Sequence, residues 1–141
     1  MISFKELLSG HLISEVPILH QLNLEELLVC VNKLRTGWGK PLFVTSSYRS
    51  MQDHLRIYSQ IASRKGIDFD ASKVPMRSNH LFGNAVDFAD PDGSLYAWAY
   101  ANQDKLAEWG IWCEVGTKGW LHCQRVPYGS YQTGKSRFFN P

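Results

Sequence analysis

Residues 78–89 read SNHLFGNAVDFA, and this stretch decides the fold that we expect for the chain. Its second half alternates in polarity, which predicts a short strand over residues 85–89. One face of that strand carries Ala85, Asp87 and Ala89, and the other carries Val86 and Phe88. Gly83 stands before the strand, where the chain must turn tightly for the side chains of His80 and Asp87 to converge.

His80, Asp87 and the distant His122, which follows Trp120 and Leu121, together predict a metal site. Two neutral imidazoles and one carboxylate fill three corners of a zinc tetrahedron and leave the fourth open for water. A single His or Asp in such a stretch more often caps a loop or makes an ordinary hydrogen bond. The complete set favours one catalytic Zn²⁺ ion, and the open corner indicates a hydrolytic enzyme.

The composition is that of a globular protein, because hydrophobic residues make up 44% of the chain and charged residues 20%. Its 141 residues predict a single domain, residues 1–141, and we expect a monomer. The formal charge of +2 is too small to predict nucleic-acid binding, although a basic excess helps approach to an anionic polymer such as a cell wall. Residues 1–8 do not read as a secretory signal, and no stretch is apolar enough for membrane insertion. We therefore expect synthesis in a cytoplasm, and action outside the cell only if something else releases the chain.

The remaining patterns predict a small α+β domain with an antiparallel sheet flanked by helices. The predicted helices are residues 23–34, with Asn23 as the cap, residues 50–64, and residues 94–108 with Gly110 behind them. The predicted strands are residues 41–46, 85–89, 111–115 and 120–125. Residues 67–79 have no clear period and are expected to form a loop. The tail, residues 126–141, is expected to wrap the surface and to be held there by Phe138 and Phe139.

The last two strands form a hairpin for which two registers are open. A three-residue loop, residues 117–119, places Glu114 opposite His122. A four-residue loop instead pairs Cys113 with His122 and turns Glu114 away. Gly119 stands where a three-residue loop needs the left-handed conformation, and this favours the first register.

Hydrolysis by a metal also needs a base and a cation, for which the sequence offers Glu114 and Arg49. A carboxylate beside the metal takes the proton of the attacking water, and a cation stabilises the developing oxyanion. Glu114 lies in an otherwise apolar strand, which makes a purely solvated role less natural for it. Arg49 follows the predicted strand 41–46 and reads equally as a cleft residue or a surface residue. Ser78 stands two residues before His80 and could orient a ligand or donate to substrate.

The other histidines and the three cysteines carry weaker signals. Cys30, Cys113 and Cys123 are odd in number and widely spaced, so they predict buried thiols rather than a disulfide framework or a ligand set. His11 and His20 have no ligand neighbours at suitable spacing. His54 falls on the second helix, where a surface or cap role is common.

These motifs in combination resemble the zinc D-alanyl-D-alanine carboxypeptidase and L-alanyl-D-glutamate endopeptidase group, in its phage endolysin-like branch. That group shares its fold with the Hedgehog signalling domain. The likeness covers about residues 24–124 and rests on SSYRS at 46–50, on residues 78–87 and on residues 114–122. It implies zinc ligands His80, Asp87 and His122, the base Glu114, the substrate-positioning Arg49, and substrate contacts from Ser47, Tyr48 and Ser78. Many members carry the catalytic base at the position of Gly119. The assignment of Glu114 as the base therefore rests on the hairpin register and on the likeness to the phage-type branch.

The resemblance implies a zinc peptidase that cuts a peptide bond in the stem peptide of bacterial peptidoglycan. The expected reaction is attack of a zinc-activated water on the carbonyl, with Glu114 as the base and Arg49 as the stabilising cation. A phage or prophage lysis enzyme fits this activity. Two alternatives stay open: a non-catalytic zinc-containing binding domain of the same fold, and a zinc amidase that acts on another cell-wall bond.

Overall fold

The computed structural model describes residues 1–127 and 136–141, which form an α+β arrangement. The helices of these residues are α1 (Phe4–Leu7), α2 (Ile18–Trp38), α3 (Met51–Arg64), α4 (Ser94–Ala101) and α5 (Gln103–Trp109). Short 3₁₀ turns cover Ile13–Glu15, Ala71–Lys73 and Asn79–Phe82. The strands are β1 (Val44–Ser46), β2 (Ala85–Asp90), β3 (Trp112–Glu114), β4 (Gly119–Gln124) and β5 (Phe138–Phe139). None of the helices in this described part combines the length and the apolar character needed to cross a bilayer.

The five strands form one sheet in the order β1-β2-β4-β3-β5, and the sheet is mixed rather than antiparallel. The pairs β1–β2, β2–β4 and β3–β4 are antiparallel as expected. The expectation of an all-antiparallel sheet is wrong because β5 pairs in parallel with β3. The backbone N–H groups of Cys113 and Val115 donate to Arg137 and Phe139 at 2.7 and 2.8 Å. Residues 128–135 of the predicted tail lie outside the described residues, whereas Phe138 and Phe139 are buried and hold the chain end as predicted.

One face of the sheet is packed on the helices, and this leaves the opposite face for polar residues. Val86, Phe88 and Leu121 are fully buried on the packed face, as the alternation predicts. The helix α2 covers them with a stripe of buried residues, Leu24, Leu27, Val31 and Leu34. The alternate residues of β2 and β4, which include Asp87 and His122, therefore project from the other face.

The predicted helices are present with different bounds. The helix α2 begins at Ile18 after Pro17, so Asn23 lies inside it and does not cap it. The Asn23 side chain instead donates to the carbonyl of Phe82 at 2.8 Å and accepts from Arg125 at 2.9 Å. These contacts fasten α2 to the turn that precedes β2, which no local pattern could indicate.

The other two predicted helices differ in how well local signals define them. The helix α3 has the predicted start, because the Ser50 hydroxyl accepts from the backbone N–H of Asp53 at 3.1 Å. The predicted helix 94–108 divides into α4 and α5 at Asn102, whose backbone is non-helical. The Asn102 side chain donates to the carbonyl of Trp98 at 2.8 Å, which satisfies the group that a continuing helix would have used.

Gly83 has the conformation and the close packing that the tight turn requires. Its φ is +76°, and an added Cβ would lie 2.7 Å from the His20 carbonyl oxygen and 3.0 Å from Leu24. We expect Gly83→Ala to lower the free energy of unfolding by about 3 kcal/mol, because left-handed strain and overpacking add together. Gly93 is the matched control, since its φ is +74° with nothing within 4 Å of an added Cβ. Gly93→Ala should cost about 1 kcal/mol. Equal losses for the two variants in urea denaturation would contradict the packing argument.

Candidate metal centre

The side chains of His80, Asp87 and His122 converge at one point on the open face of the sheet. Asp87 in β2 lies directly opposite His122 in β4, and His80 comes from the turn Asn79–Phe82 just before β2. His122 Nδ1 is 2.8 Å from Asp87 Oδ1, and His80 Nε2 is 3.4 Å from Asp87 Oδ2. One ligand atom from each residue lies within 4.8 Å of the others, so the group can hold one metal ion.

His80 is oriented by the backbone of the strand end next to it. Its Nδ1 donates to the carbonyl oxygen of Ser47 at 2.7 Å, which leaves Nε2 to face Asp87. Ser47 is itself fully buried, and its hydroxyl donates to the carbonyl of Ala85 at 2.9 Å. A metal-binding imidazole commonly donates its second N–H to such a carbonyl, which fixes the ring and the tautomer.

His122 is oriented by Gln124, a residue that the sequence analysis did not select. The Gln124 amide donates to the carbonyl of Val126 at 2.8 Å, so its oxygen turns toward His122 Nε2 at 2.9 Å and accepts from it. This leaves Nδ1 of His122 to face Asp87. The strand period of two, which puts residues 122 and 124 on one face of β4, was the signal that could have found Gln124.

Replacing Gln124 by methionine is expected to weaken zinc binding by about 10- to 100-fold, the usual cost of removing a partner that orients a metal ligand. Methionine fills a similar volume but offers no amide oxygen to His122. Competition with a chromophoric chelator measures the dissociation constant directly. An unchanged constant in a folded Gln124→Met variant would show that His122 needs no such support.

The charges of the group are set by burial and by the contacts between the three side chains. Burial alone would raise the pKa of Asp87, but hydrogen bonds from His122 and His80 hold it well below its usual range. Burial lowers the pKa of His80, and its contact with Asp87 offsets only part of this effect. Burial also acts to lower the pKa of His122, but Asp87 and Gln124 outweigh it and raise that pKa. A carboxylate that stays ionised beside two imidazoles suits a divalent cation, which would take the place of the proton on Nδ1 of His122.

The structure confirms the hairpin register that places Glu114 beside His122. Trp112 pairs with Gln124 and Cys113 with Cys123, so Glu114 follows on the same side as His122. Gly119 has a φ of +89°, as the three-residue loop requires. Burial raises the pKa of Glu114, an effect that His122 partly opposes and Asp87 reinforces. Glu114 is thus a half-buried carboxylate on the wall of the same cleft as the candidate ligands.

Arg49 reaches the same point from the end of β1. Its guanidinium Nη2 is 3.9 Å from Asp87 Oδ2, and its Nε donates to the Ser46 hydroxyl at 3.3 Å. The backbone N–H of Arg49 donates to the carbonyl of His80 at 3.1 Å, which ties the two segments together. Of the two readings that the sequence left open, the structure places Arg49 in the cleft.

A cleft of about 590 Å³ opens over these groups. One wall comes from Ile57, Tyr58 and Ile61 of α3, and the opposite wall from Trp120, Phe139 and Pro141. No local pattern in the sequence indicates the α3 wall, and Trp120 on the other wall is 41% exposed. Ser78 and Arg77 also line this cleft. It is large enough for several residues of a peptide.

Two of the expected substrate contacts, Ser47 and Tyr48, do not reach the cleft. Ser47 points into the protein, where its carbonyl holds His80. Tyr48 is buried with its ring 5.1 Å from that of His11, and its backbone N–H donates to Leu7. The Ser47 side chain is held inside by its hydrogen bond to Ala85 and the Tyr48 ring by its packing on His11, so Arg49 is the one residue of 47–49 that lines the cleft. Ser47 therefore acts on the site through its backbone, and Tyr48 belongs to the core.

The other histidines and the cysteines stay outside the metal group. His54 is fully buried rather than at the surface, and its Nε2 lies 2.6 Å from the carbonyl oxygen of Pro75. His11 pairs with Asp53 at 2.8 Å. Cys113 and Cys123 are buried thiols, as predicted, with their sulfur atoms 3.8 Å apart on the packed face of the sheet, whereas Cys30 is only partly buried.

Comparisons of the chain with family models, with curated proteins and with solved structures found no match in any of the three. Two imidazole nitrogens and a carboxylate oxygen form a donor set that suits Zn²⁺. Each candidate imidazole also has an acceptor for its second ring nitrogen, so the chemistry of the residues fits a bound metal.

Proposed function

We propose that the chain is a zinc-dependent peptidase that hydrolyses a peptide bond in the stem peptide of bacterial peptidoglycan. The observation that carries the proposal is the position of Glu114 on the wall of the cleft that contains His80, Asp87 and His122. The same donor set also suits Fe²⁺ in oxygenases, but a carboxylate base beside it is what hydrolysis needs. The proposal includes a Hedgehog-like fold and a role as a phage or prophage lysis enzyme, both of which rest on the motif resemblance.

The zinc ion, when bound by His80, Asp87 and His122, would polarise the substrate carbonyl and make water acidic enough to be deprotonated near neutral pH. Glu114 accepts the proton of the attacking water on its carboxylate and returns it to the leaving amine. Arg49 is held beside Asp87, and its guanidinium also offers N–H groups to the negative charge that develops on the carbonyl oxygen. The buried positions of His80 and Gln124 keep this arrangement fixed before substrate arrives.

The shape and charge of the cleft support a peptide substrate. Apolar side chains from α3 on one side and from Trp120 and the chain end on the other can cover the backbone of an extended peptide. Arg49, Arg77 and Ser78 provide polar contacts along the same cleft. The basic excess of the chain, a formal charge of +2, favours approach to an anionic wall polymer.

The test is digestion of purified peptidoglycan by the zinc-loaded chain, followed by mass spectrometry of the released fragments. A peptidase yields cleaved stem peptides and leaves their first residue attached to muramic acid, whereas an amidase releases intact stem peptides. Chelation should abolish the release, and added zinc should restore it. Zinc binding without any released fragment would favour the non-catalytic binding domain and overturn the proposal.

A further inference from the structure

Arg77 is a cation at the cleft that the proposed mechanism does not use. It lines the cleft together with His80 and Glu114, and its side chain is exposed. Among the residues that the structure describes, no carboxylate forms an ion pair with Arg77 and no side chain accepts a hydrogen bond from it. Arg49, by contrast, contacts Asp87 and Ser46 and already has a role in the proposed mechanism.

The backbone that carries Arg77 is fixed on both sides. Before it, Val74 is buried and the Pro75 carbonyl is held by the buried His54 at 2.6 Å. After it, His80 is buried and its carbonyl accepts from Arg49. The backbone at Arg77 is therefore held in place, so only the Arg77 side chain has to be ordered when a ligand binds.

The charges in the cleft indicate which ligand group Arg77 would accept. A substrate carboxylate would be repelled by Glu114, whereas Asp87 is balanced by Arg49 and, in the loaded chain, by the metal ion. A planar guanidinium with no competing partner binds a carboxylate through two parallel hydrogen bonds. An anionic group of the substrate therefore fits at Arg77 and fits poorly beside Glu114.

We propose that Arg77 binds a carboxylate of the peptide substrate and so determines which peptides the cleft accepts, an inference that rests on the proposed peptidase function. A peptidoglycan stem peptide with lysine at its third position has two candidate groups. One is the α-carboxylate of its γ-linked D-glutamate, and the other is the carboxylate of its terminal D-alanine. Both present the same chemistry to a guanidinium.

The experiment compares three acetylated stem pentapeptides: the parent, one with the D-glutamate carboxylate converted to the amide, and one with the terminal carboxylate converted to the amide. Binding to the zinc-loaded Glu114→Gln chain, which should not cut them, is measured by titration calorimetry. One of the two amides should bind about tenfold more weakly than the parent. A further Arg77→Gln change should remove that difference. The further change Arg64→Gln, at an exposed arginine at the end of α3 outside the cleft, should leave it intact.

Steady-state hydrolysis by the chain with Glu114 intact gives a second measurement. Arg77→Gln should raise KM for the parent peptide with little change in kcat, since Arg77 holds a part of the substrate that does not react. Equal binding of all three peptides by the Glu114→Gln chain would overturn the assignment, and so would a preference that survives Arg77→Gln. A different result is a chain that cuts no peptidoglycan but still prefers the parent peptide in a way that depends on Arg77. That result would overturn the proposed peptidase function and support the carboxylate site at Arg77.

Discussion

Replacing Glu114 by glutamine is expected to slow the hydrolysis of purified peptidoglycan by about 100- to 10,000-fold, the contribution typical of a positioned general base. Glutamine keeps the shape of the side chain and its place on the cleft wall but cannot accept the proton of the attacking water. Because Glu114 is not one of the three candidate ligands, the zinc content should not change. For this variant, mass spectrometry should therefore show the loss of fragment release, while plasma emission should show an unchanged zinc content.

Glu108→Gln is the matched control, because Glu108 is an exposed carboxylate at the end of α5 and lies outside the cleft. It should keep full activity and full zinc content. Unchanged turnover in Glu114→Gln would remove Glu114 from the mechanism. Loss of zinc together with activity would instead assign Glu114 to metal binding or to the integrity of the fold.

Replacing Asp87 by asparagine is expected to weaken zinc binding by more than about 100-fold and to abolish hydrolysis with it. Loss of a ligand should exceed the 10- to 100-fold cost that is typical of losing a partner that only orients one. Asp87 is the one anionic side chain in the group, and it contacts His122 at 2.8 Å and His80 at 3.4 Å. Asparagine fits the same space but supplies no charge to balance the cation or the nearby Arg49.

Zinc retained after dialysis against a weak chelator measures this effect. Asp104→Asn serves as the control, since Asp104 is exposed in the first turn of α5 and distant in sequence from the site. Circular dichroism should show both variants folded, because Asp87 lies at the open face of the sheet and outside the apolar core. A full zinc complement in Asp87→Asn would show that the three-residue group is not the binding site.

The two substitutions distinguish a catalytic base from a metal ligand, which a loss of activity alone would not do. Glu114→Gln should give a chain that holds zinc but does not cut peptidoglycan, and Asp87→Asn a chain that does neither. The difference follows from their positions, since Asp87 is between the two imidazoles while Glu114 reaches the cleft from the adjacent strand β3.

Much of the candidate site could be predicted because its residues carry local signals. The period of two in β2 fixes that Asp87 projects away from Val86 and Phe88, and Gly83 fixes the turn that brings His80 back toward it. The position of Gly119 in the hairpin loop selects the register that brings Glu114 to His122. Such signals act over a few residues, so the sequence contains all that is needed to read them.

Other features escaped prediction because they depend on contacts between distant segments. Asn23 resembles a helix cap in sequence, but Phe82 and Arg125 engage its side chain within α2. Ser47 and Arg49 both follow the end of a strand in the sequence. Only the packing of the turn at His80 shows that Ser47 acts through its backbone carbonyl, which accepts from His80. The importance of Gln124 depends on where the Val126 carbonyl lies, since that contact decides which end of the amide faces His122.

The sequence by itself determined the alternating faces of the strands, the tight turn at Gly83 and the identity of the three side chains that can share a metal ion. Only the tertiary structure decided that β5 joins β3 in parallel, that α3 supplies a wall of the cleft, and that Arg77 has no acidic partner among the residues that the structure describes. The physical reason is that local conformation follows from steric and hydrogen-bonding preferences of neighbouring residues. The choice of which distant segments pair depends on the packing of the whole chain, for which no single stretch carries a pattern.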